Sequence, residues 1–144
     1  MKAKPRTYKE AIERIEGGER FEDYKTLALA HKDGWTVAHE QAWHYGWRTE
    51  NRKVLMLASN DGFAVAHAQA RRGWITDDPE ILALASIGGW TVAHAQARRG
   101  WTTDDPRILS LSDDDGWTVA NEIDEYKKHE GKHQLLPLMR WQMT

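Results

Sequence analysis

The stretch Gly89-Trp90-Thr91-Val92-Ala93-His94 recurs along the chain, and this recurrence constrains the fold more than any other feature. Versions of the stretch begin at Gly34, Gly62, Gly89 and Gly116, so the sequence repeats with a period of about 27 residues. A fixed period of that size is typical of stacked supersecondary units that bury one continuous core together. We therefore predict an all-α fold, an α-solenoid built from short helix pairs.

Each repeat predicts two short helices with explicit start and stop signals. In the third copy Thr91 is the expected N-cap of the first helix, and Gly100 ends that helix after Arg98-Arg99. The second helix is expected to begin at Asp104-Asp105-Pro106, where an aspartate N-cap precedes a proline at the first helical position. The second copy has Ala64 in place of threonine, so we expect its first helix to lack that cap.

Less regular segments flank the repeats. The sequence Thr7-Tyr8-Lys9-Glu10 is a capping box, in which Thr7 and Glu10 would each accept a backbone N–H of the other. The last unit becomes charged, and an apolar segment closes the chain. We predict a single domain over residues 1–144, with an N-terminal cap unit (1–32), three repeats (33–114) and a C-terminal cap unit (115–144), because a stack must cover its terminal apolar faces.

Composition narrows the class of function. A net charge of −2 argues against a dominant electrostatic grip on nucleic acid or on an anionic membrane. The chain has no cysteine, which excludes disulfides and thiolate metal sites. No apolar run resembles a signal peptide or is long enough to cross a bilayer, so we expect a cytoplasmic protein without a membrane partner.

The run Asp33-Gly34-Trp35-Thr36-Val37-Ala38-His39 resembles the Asp-Gly-x-Thr-Pro-Leu-His start of an ankyrin repeat, with Val37 and Ala38 in place of the usual proline and leucine. The rest of each unit is more similar to leucine-rich-repeat-variant solenoids, which have a turn carrying Thr and Pro, a Leu-rich second helix and an acidic linker. The resemblance covers about residues 24–120. It implies protein–protein binding, with no catalytic residues to carry over.

The segment His129-Glu130-Gly131-Lys132-His133 fits the His-Glu-x-x-His pattern of zinc hydrolases. On one helix face, His129 and His133 would be zinc ligands and Glu130 a general base. Gly131 weakens the helix that must hold the two imidazoles together, and no Asp, Glu or His follows His133 as a third ligand. A solvated polar helix end is the favoured interpretation, and a zinc-dependent hydrolase is the alternative.

Two polar series recur at equivalent positions of the repeats: His39, His67 and His94, and Gln41, Gln69 and Gln96. Equivalent helices in a stack lie about 8–10 Å apart, too far for one metal to bridge two copies. We therefore predict that each histidine binds the threonine N-cap or a neighbouring loop. We expect each glutamine to satisfy backbone groups of a loop.

Paired arginines and tryptophans also recur, and they are our candidate partner-binding residues: Arg71, Arg72, Trp74, Arg98, Arg99 and Trp101. Basic residues beside aromatic rings are typical of single-stranded nucleic-acid binding, so a nucleic-acid-binding solenoid is a second alternative. Asp77-Asp78 and Asp104-Asp105 lie close by and would cancel much of that field. The simpler role of the arginines is to complement a helix C-terminus and to form local ion pairs.

The chain contains eight tryptophans, and most of them occupy two series of repeat positions. One series precedes the first helix of each unit (Trp35, Phe63, Trp90 and Trp117), and the other follows it (Trp47, Trp74 and Trp101). Large rings could cover thin two-helix layers, or one series could be exposed as a binding hot spot. The sequence leaves open which series is exposed.

Taken together, these features predict a non-enzymatic protein–protein interaction module, a scaffold or adaptor, whose partner the sequence does not identify. We expect no catalytic residues and no cofactor, because no nucleophile–base pair, phosphate-cradling loop or catalytic pair of carboxylates is recognisable. We expect a monomer or a weak oligomer, with a protein rather than a nucleic acid as partner.

Overall fold

The computed structural model describes residues 3–129, and the regular secondary structure in this range is helical. Between residues 3 and 129 the chain forms no strand, only single antiparallel bridges. The predicted all-α class is confirmed at this level. No helix in the same range is long and apolar enough to cross a membrane.

Longer helices alternate along the chain with helices of a single turn. In chain order they are α1 (Tyr8–Glu16), α2 (Tyr24–Leu27), α3 (Val37–Tyr45), α4 (Arg52–Leu55), α5 (Val65–Arg71), α6 (Pro79–Leu82), α7 (Val92–Arg98), α8 (Pro106–Leu109) and α9, described over residues 119–129. A 3₁₀ turn, Ile87–Gly89, precedes α7. The alternation of long and short helices matches the pairs expected for each copy.

The repeated helices begin where the sequence predicts. The Thr91 side chain accepts the backbone N–H of His94 at 3.1 Å and starts α7. Asp105 accepts the backbone N–H of Arg107 at 2.9 Å and starts α8, with a proline at the first helical position. The same two caps start α3 and α6. Ala64 makes no side-chain cap bond to α5, as expected.

The prediction of the N-terminal capping box is wrong for one of its two bonds. Thr7 accepts the backbone N–H of Glu10 at 3.1 Å, as predicted. The Glu10 carboxylate instead accepts the backbone N–H of Arg6, at 3.2 Å, and not that of Thr7. The carboxylate still accepts a backbone N–H just before α1, one residue earlier than the capping box places it.

The longer helices pack in sequence order, α1 against α3, α3 against α5 and α5 against α7. Small residues lie on their facing surfaces. Ala42, Ala70 and Ala97 are buried at equivalent positions, which lets the backbones approach closely. The single-turn helices add larger apolar residues to the same core, such as Val54 and Ile81. These buried residues belong to two apolar clusters, and each cluster draws on several copies.

One buried glutamine in each of α3, α5 and α7 joins its helix to the loop that precedes a short helix, α2, α4 or α6. Each side-chain amide accepts the backbone N–H and donates to the backbone C=O of one residue, 20 positions earlier in the chain. The distances lie between 2.7 and 3.2 Å. The pairs are Gln41 with Phe21, Gln69 with Thr49, and Gln96 with Thr76. The predicted role of this series is confirmed.

Candidate functional site

An aromatic side chain stands directly before the N-cap of each repeated helix. These residues form the aromatic row: Trp35, Phe63, Trp90 and Trp117. In the first three copies the ring lies against the imidazole four residues later, with ring centroids 4.7, 5.2 and 4.6 Å apart. Trp117 is 37% exposed, and the other three rings are half-buried. The aromatic row therefore keeps part of its surface open to solvent.

The residue eight positions after each ring belongs to a second series, which we call the helix row: Trp43, Arg71, Arg98 and Glu125. The Arg71 guanidinium lies over the Trp43 ring, 4.7 Å from its centroid, and that of Arg98 lies 5.6 Å from the centroid of Trp90. Such cation–π contacts position a guanidinium while its N–H groups remain able to bind acceptors. Rings and cations are thus interleaved along the two rows.

The two rows line three neighbouring recesses, the first, central and last, which together form the groove. Their volumes are about 530, 620 and 690 Å³. Phe63 and Arg71 line both the first and the central recess. Trp90 and Arg98 line both the central and the last recess. Because adjacent recesses share lining residues, the three recesses lie side by side along successive copies.

Charge alternates along the groove. The first recess carries Asp33 and Asp61, and the last carries Glu122 and Glu125. The central recess carries Arg71, Arg98 and Arg99. Within residues 3–129 no carboxylate lines the central recess. The groove therefore has a cationic centre between two ends that contain acidic residues.

Two glutamates in or beside the groove already bind indole N–H groups. Trp35 Nε1 donates to Glu40 at 2.9 Å, and Trp117 Nε1 donates to Glu122 at 2.6 Å. The Glu122 carboxylate also lies 3.8 Å from Nε of Arg98, which belongs to the preceding copy. A carboxylate at this position therefore fits between an indole N–H and a guanidinium.

The candidate arginines fall in different places. Arg71, Arg98 and Arg99 line the central recess. Arg72 is also exposed, but it does not line the three recesses, and its carbonyl accepts a hydrogen bond from Arg48 at 3.0 Å. One arginine of each pair thus faces the aromatic row, and only the second pair contributes both members to the central recess.

Of the tryptophans that follow the repeated helices, Trp74 is buried, whereas Trp47 and Trp101 are half-buried like most of the aromatic row. Trp74 is 4% exposed, and its Nε1 donates to Glu50 at 2.9 Å. Trp101 is half-buried and packs against the core. Among the rings of the two series only Trp117 is exposed, and sequence reasoning did not include the aromatic row among its site residues. The signal was present in the eight-residue spacing between Phe63 and Arg71 and between Trp90 and Arg98.

The buried histidines bind backbone groups, as predicted. In His67, Nδ1 accepts the backbone N–H of Ala64 at 3.0 Å, and Nε2 lies 3.1 Å from the carbonyl of Trp90 in the next copy. Because Nδ1 accepts, the proton resides on Nε2, which donates to that carbonyl. Burial lowers the pKa of His67 to about 4 and outweighs the carbonyl bonds that raise it. Burial lowers the pKa of His39 for the same reason.

The candidate zinc motif is described only in part. His129 is exposed, and its Nε2 lies 2.9 Å from a carboxylate oxygen of Glu125. The second candidate ligand, His133, and the candidate base, Glu130, lie outside the described residues. Within the described residues, no group of three His, Asp or Glu side chains could hold a metal ion.

No protein-family model matches the chain, and no curated protein matches it either. The case for a function therefore rests on the geometry and charge of the groove.

Proposed function

We propose that the chain is a protein-interaction module without enzymatic activity, and that the groove is its binding surface. The observation that carries this proposal is the row of three adjacent recesses from Trp35 to Trp117, in which neighbouring recesses share lining residues. Tryptophan and arginine are the residues most enriched at interface hot spots, and here they alternate on a partly exposed surface. A groove of this kind suits an extended or helical segment of another protein.

We also propose that the chain is an α-solenoid in which each copy of the repeat is one unit, between cap units at 1–32 and 115–144. The ordered packing of α3, α5 and α7 supports this architecture. So does the recurrence of the same backbone bonds from His67 and Gln69 at equivalent positions of other copies. Equivalent side chains then fall into register, which is why rows exist. We further propose a cytoplasmic location.

Selection of random displayed peptides on the full chain tests the proposed function. Enriched peptides should bind Trp117→Ala about tenfold more weakly, because this substitution removes an exposed ring from the last recess. Tyr24→Ala is the matched control, since Tyr24 is 44% exposed but does not line the groove. Its affinity should equal that of the wild type in a fluorescence anisotropy titration.

Two outcomes would overturn the proposal. One is that no peptide is enriched over an unrelated helical protein. The other is that enriched peptides bind Trp117→Ala and a second groove variant, Arg71→Ala, as tightly as the wild type. Circular dichroism of each variant establishes that the helices are intact before binding is compared.

A further inference from the structure

The position five residues after each member of the aromatic row differs between copies. It is Glu40, Ala68, Ala95 and Glu122 in chain order. In the first and fourth copies the glutamate accepts the indole N–H of its own tryptophan. In the second copy the ring is Phe63, which has no N–H to satisfy. The third copy is different, because the residue five positions after Trp90 is Ala95, whose side chain has no hydrogen-bond acceptor.

The fourth copy shows what a carboxylate does at this position. Glu122 accepts the N–H of Trp117 at 2.6 Å and lies 3.8 Å from the Arg98 guanidinium of the preceding copy. The corresponding donors of the third copy are Trp90 and, from its preceding copy, Arg71. Both line the central recess together with Ala95. The third copy therefore has the two donors of this arrangement without its acceptor.

The donors of the central recess lack acceptors from the chain itself. Within residues 3–129, Trp90 Nε1 has no hydrogen-bond acceptor, and neither Arg71 nor Arg99 forms an ion pair. Arg98 pairs with Glu122, which lines the last recess. Unpaired donors beside a half-buried ring favour an anionic acceptor, because charge-assisted bonds are stronger than neutral ones.

We propose that the central recess binds the carboxylate of an aspartate or glutamate on a partner peptide, in the place that a glutamate at residue 95 would occupy. The carboxylate would accept Trp90 Nε1–H and pair with Arg71, with Arg99 beside it. Apolar side chains on either side of the acidic residue would lie on Trp43 in the first recess and on Trp117 in the last. This inference rests on the proposed function, because it takes the groove to be the binding surface.

The charge pattern favours an acidic residue within a peptide over a nucleic-acid strand. A strand running along the groove would place successive phosphates against Asp33 and Asp61 at one end and Glu122 and Glu125 at the other. Like charges this close are repulsive. A peptide can carry one carboxylate at the centre and uncharged side chains at the ends. The alternation of charge therefore fits a peptide better than a polyanion.

An NMR titration of the ¹⁵N-labelled full chain tests the carboxylate directly. The probe is the blocked tripeptide Gly-Glu-Gly, and its control is Gly-Gln-Gly. The indole N–H signal of Trp90, identified by its absence in Trp90→Phe, should move downfield with the Glu peptide and stay in place with the Gln peptide. An unmoved signal, or an equal shift with both peptides, would overturn the inference.

A substitution that places a glutamate of this chain in the central recess gives a second test. In Ala95→Glu the Trp90 indole signal should lie downfield before any peptide is added, and the affinity for the Glu peptide should fall by about tenfold or more. Ala83→Glu adds the same charge at an exposed position outside the groove and should leave the affinity unchanged. If Ala95→Glu does not fold, Arg71→Gln replaces it, with an expected loss of about fivefold or more and Arg107→Gln as its control.

The outcomes separate this inference from the proposed function. Displayed peptides that need Trp117 but bind equally well after Glu→Gln replacement would overturn the carboxylate site and leave the groove as the binding surface. A Trp90 signal that responds to the Glu peptide, with no displayed peptide enriched, would keep the carboxylate site and overturn the proposed function. The peptide assignment would be overturned if oligothymidylate bound more tightly than any acidic peptide and if that binding were lost in Ala95→Glu.

Discussion

At the scale of single residues, one buried polar side chain often serves two copies of the repeat. His67 accepts a backbone N–H at the start of its own helix and donates to the carbonyl of Trp90 in the next copy. Both bonds need the neutral ring with its proton on Nε2. A buried group with these bonds stabilises the fold only while it stays neutral, so histidine protonation is linked to unfolding.

The lowered pKa of His67 predicts a loss of stability in acid. The unfolded chain takes up a proton as the pH falls below the ordinary pKa of 6.5, whereas the folded chain does so only near the folded pKa of about 4. The stabilisation is therefore complete above pH 6.5 and is lost as the pH falls towards 4, by about 3 kcal/mol from this residue. Chemical denaturation across this pH range measures the loss.

His67→Gln should lose less stability than the wild type over the same pH range, because glutamine does not titrate. An NMR titration of the His67 ring gives the folded pKa without unfolding the protein. A ring that titrates near the ordinary value would contradict the prediction.

At the scale of the elements, the helices are too short to be stable on their own. Isolated helices below about 12–15 residues are marginal in water, and α5 has seven residues. Their stability therefore comes from packing against neighbouring copies, and the caps decide where they begin. α3 and α7 begin with threonines whose side chains accept a backbone N–H, but α5 begins at Ala64, which cannot.

Restoring the missing cap should stabilise the protein. In Ala64→Thr the new hydroxyl would accept the backbone N–H of His67, as Thr91 does for His94 at 3.1 Å. The expected gain in the free energy of unfolding is about 1 kcal/mol, measured by urea denaturation. Thr91→Ala is the reciprocal variant and should lose a similar amount. An Ala64→Thr protein no more stable than the wild type would show that the buried site cannot hold the extra atoms.

At the scale of the whole molecule, the loops between copies are joined to each other directly. Asn60 donates its backbone N–H to the carbonyl of Asp33 at 2.8 Å, and Asp114 donates to that of Gly88, also at 2.8 Å. These contacts bring loop backbones so close that a side chain does not fit between them. Gly89 lies at such a point, 2.9 Å from the Asp114 backbone nitrogen when measured from an ideal Cβ.

Comparing alanine substitutions at Gly88 and Gly89 separates the loss of stability caused by this close contact from the loss caused by backbone conformation. Both have positive φ, +83° and +79°, so either substitution by alanine should cost about 1–2 kcal/mol of conformational strain. Gly88 has no atom within 4 Å of its ideal Cβ, whereas Gly89 has the neighbouring loop. Gly89→Ala should therefore be less stable than Gly88→Ala by at least about 1 kcal/mol in thermal and urea unfolding. Equal stabilities would mean that the loop moves away freely.

The local structure could be predicted from the sequence, because a cap acts within one turn of the chain. Thr91 and Asp105 start their helices where their residue types predict. The lack of a side-chain cap at Ala64 also follows from its residue type. The backbone role of the histidine and glutamine series also followed from their recurrence at equivalent positions. The one local error, the acceptor role of Glu10, arose because the side chain could reach either of two adjacent N–H groups.

The exposure of the aromatic rings, and the cations that face them, depend on how the copies pack against one another. Trp74 and Trp90 each follow a glycine, yet Trp74 is covered by the core and donates to Glu50, while Trp90 lines the central recess. Exposure depends in part on residues distant in the chain, as when Trp74 donates to Glu50, 24 positions earlier. The missing acceptor at Ala95 is recognisable only once the donors around it have been brought together by packing.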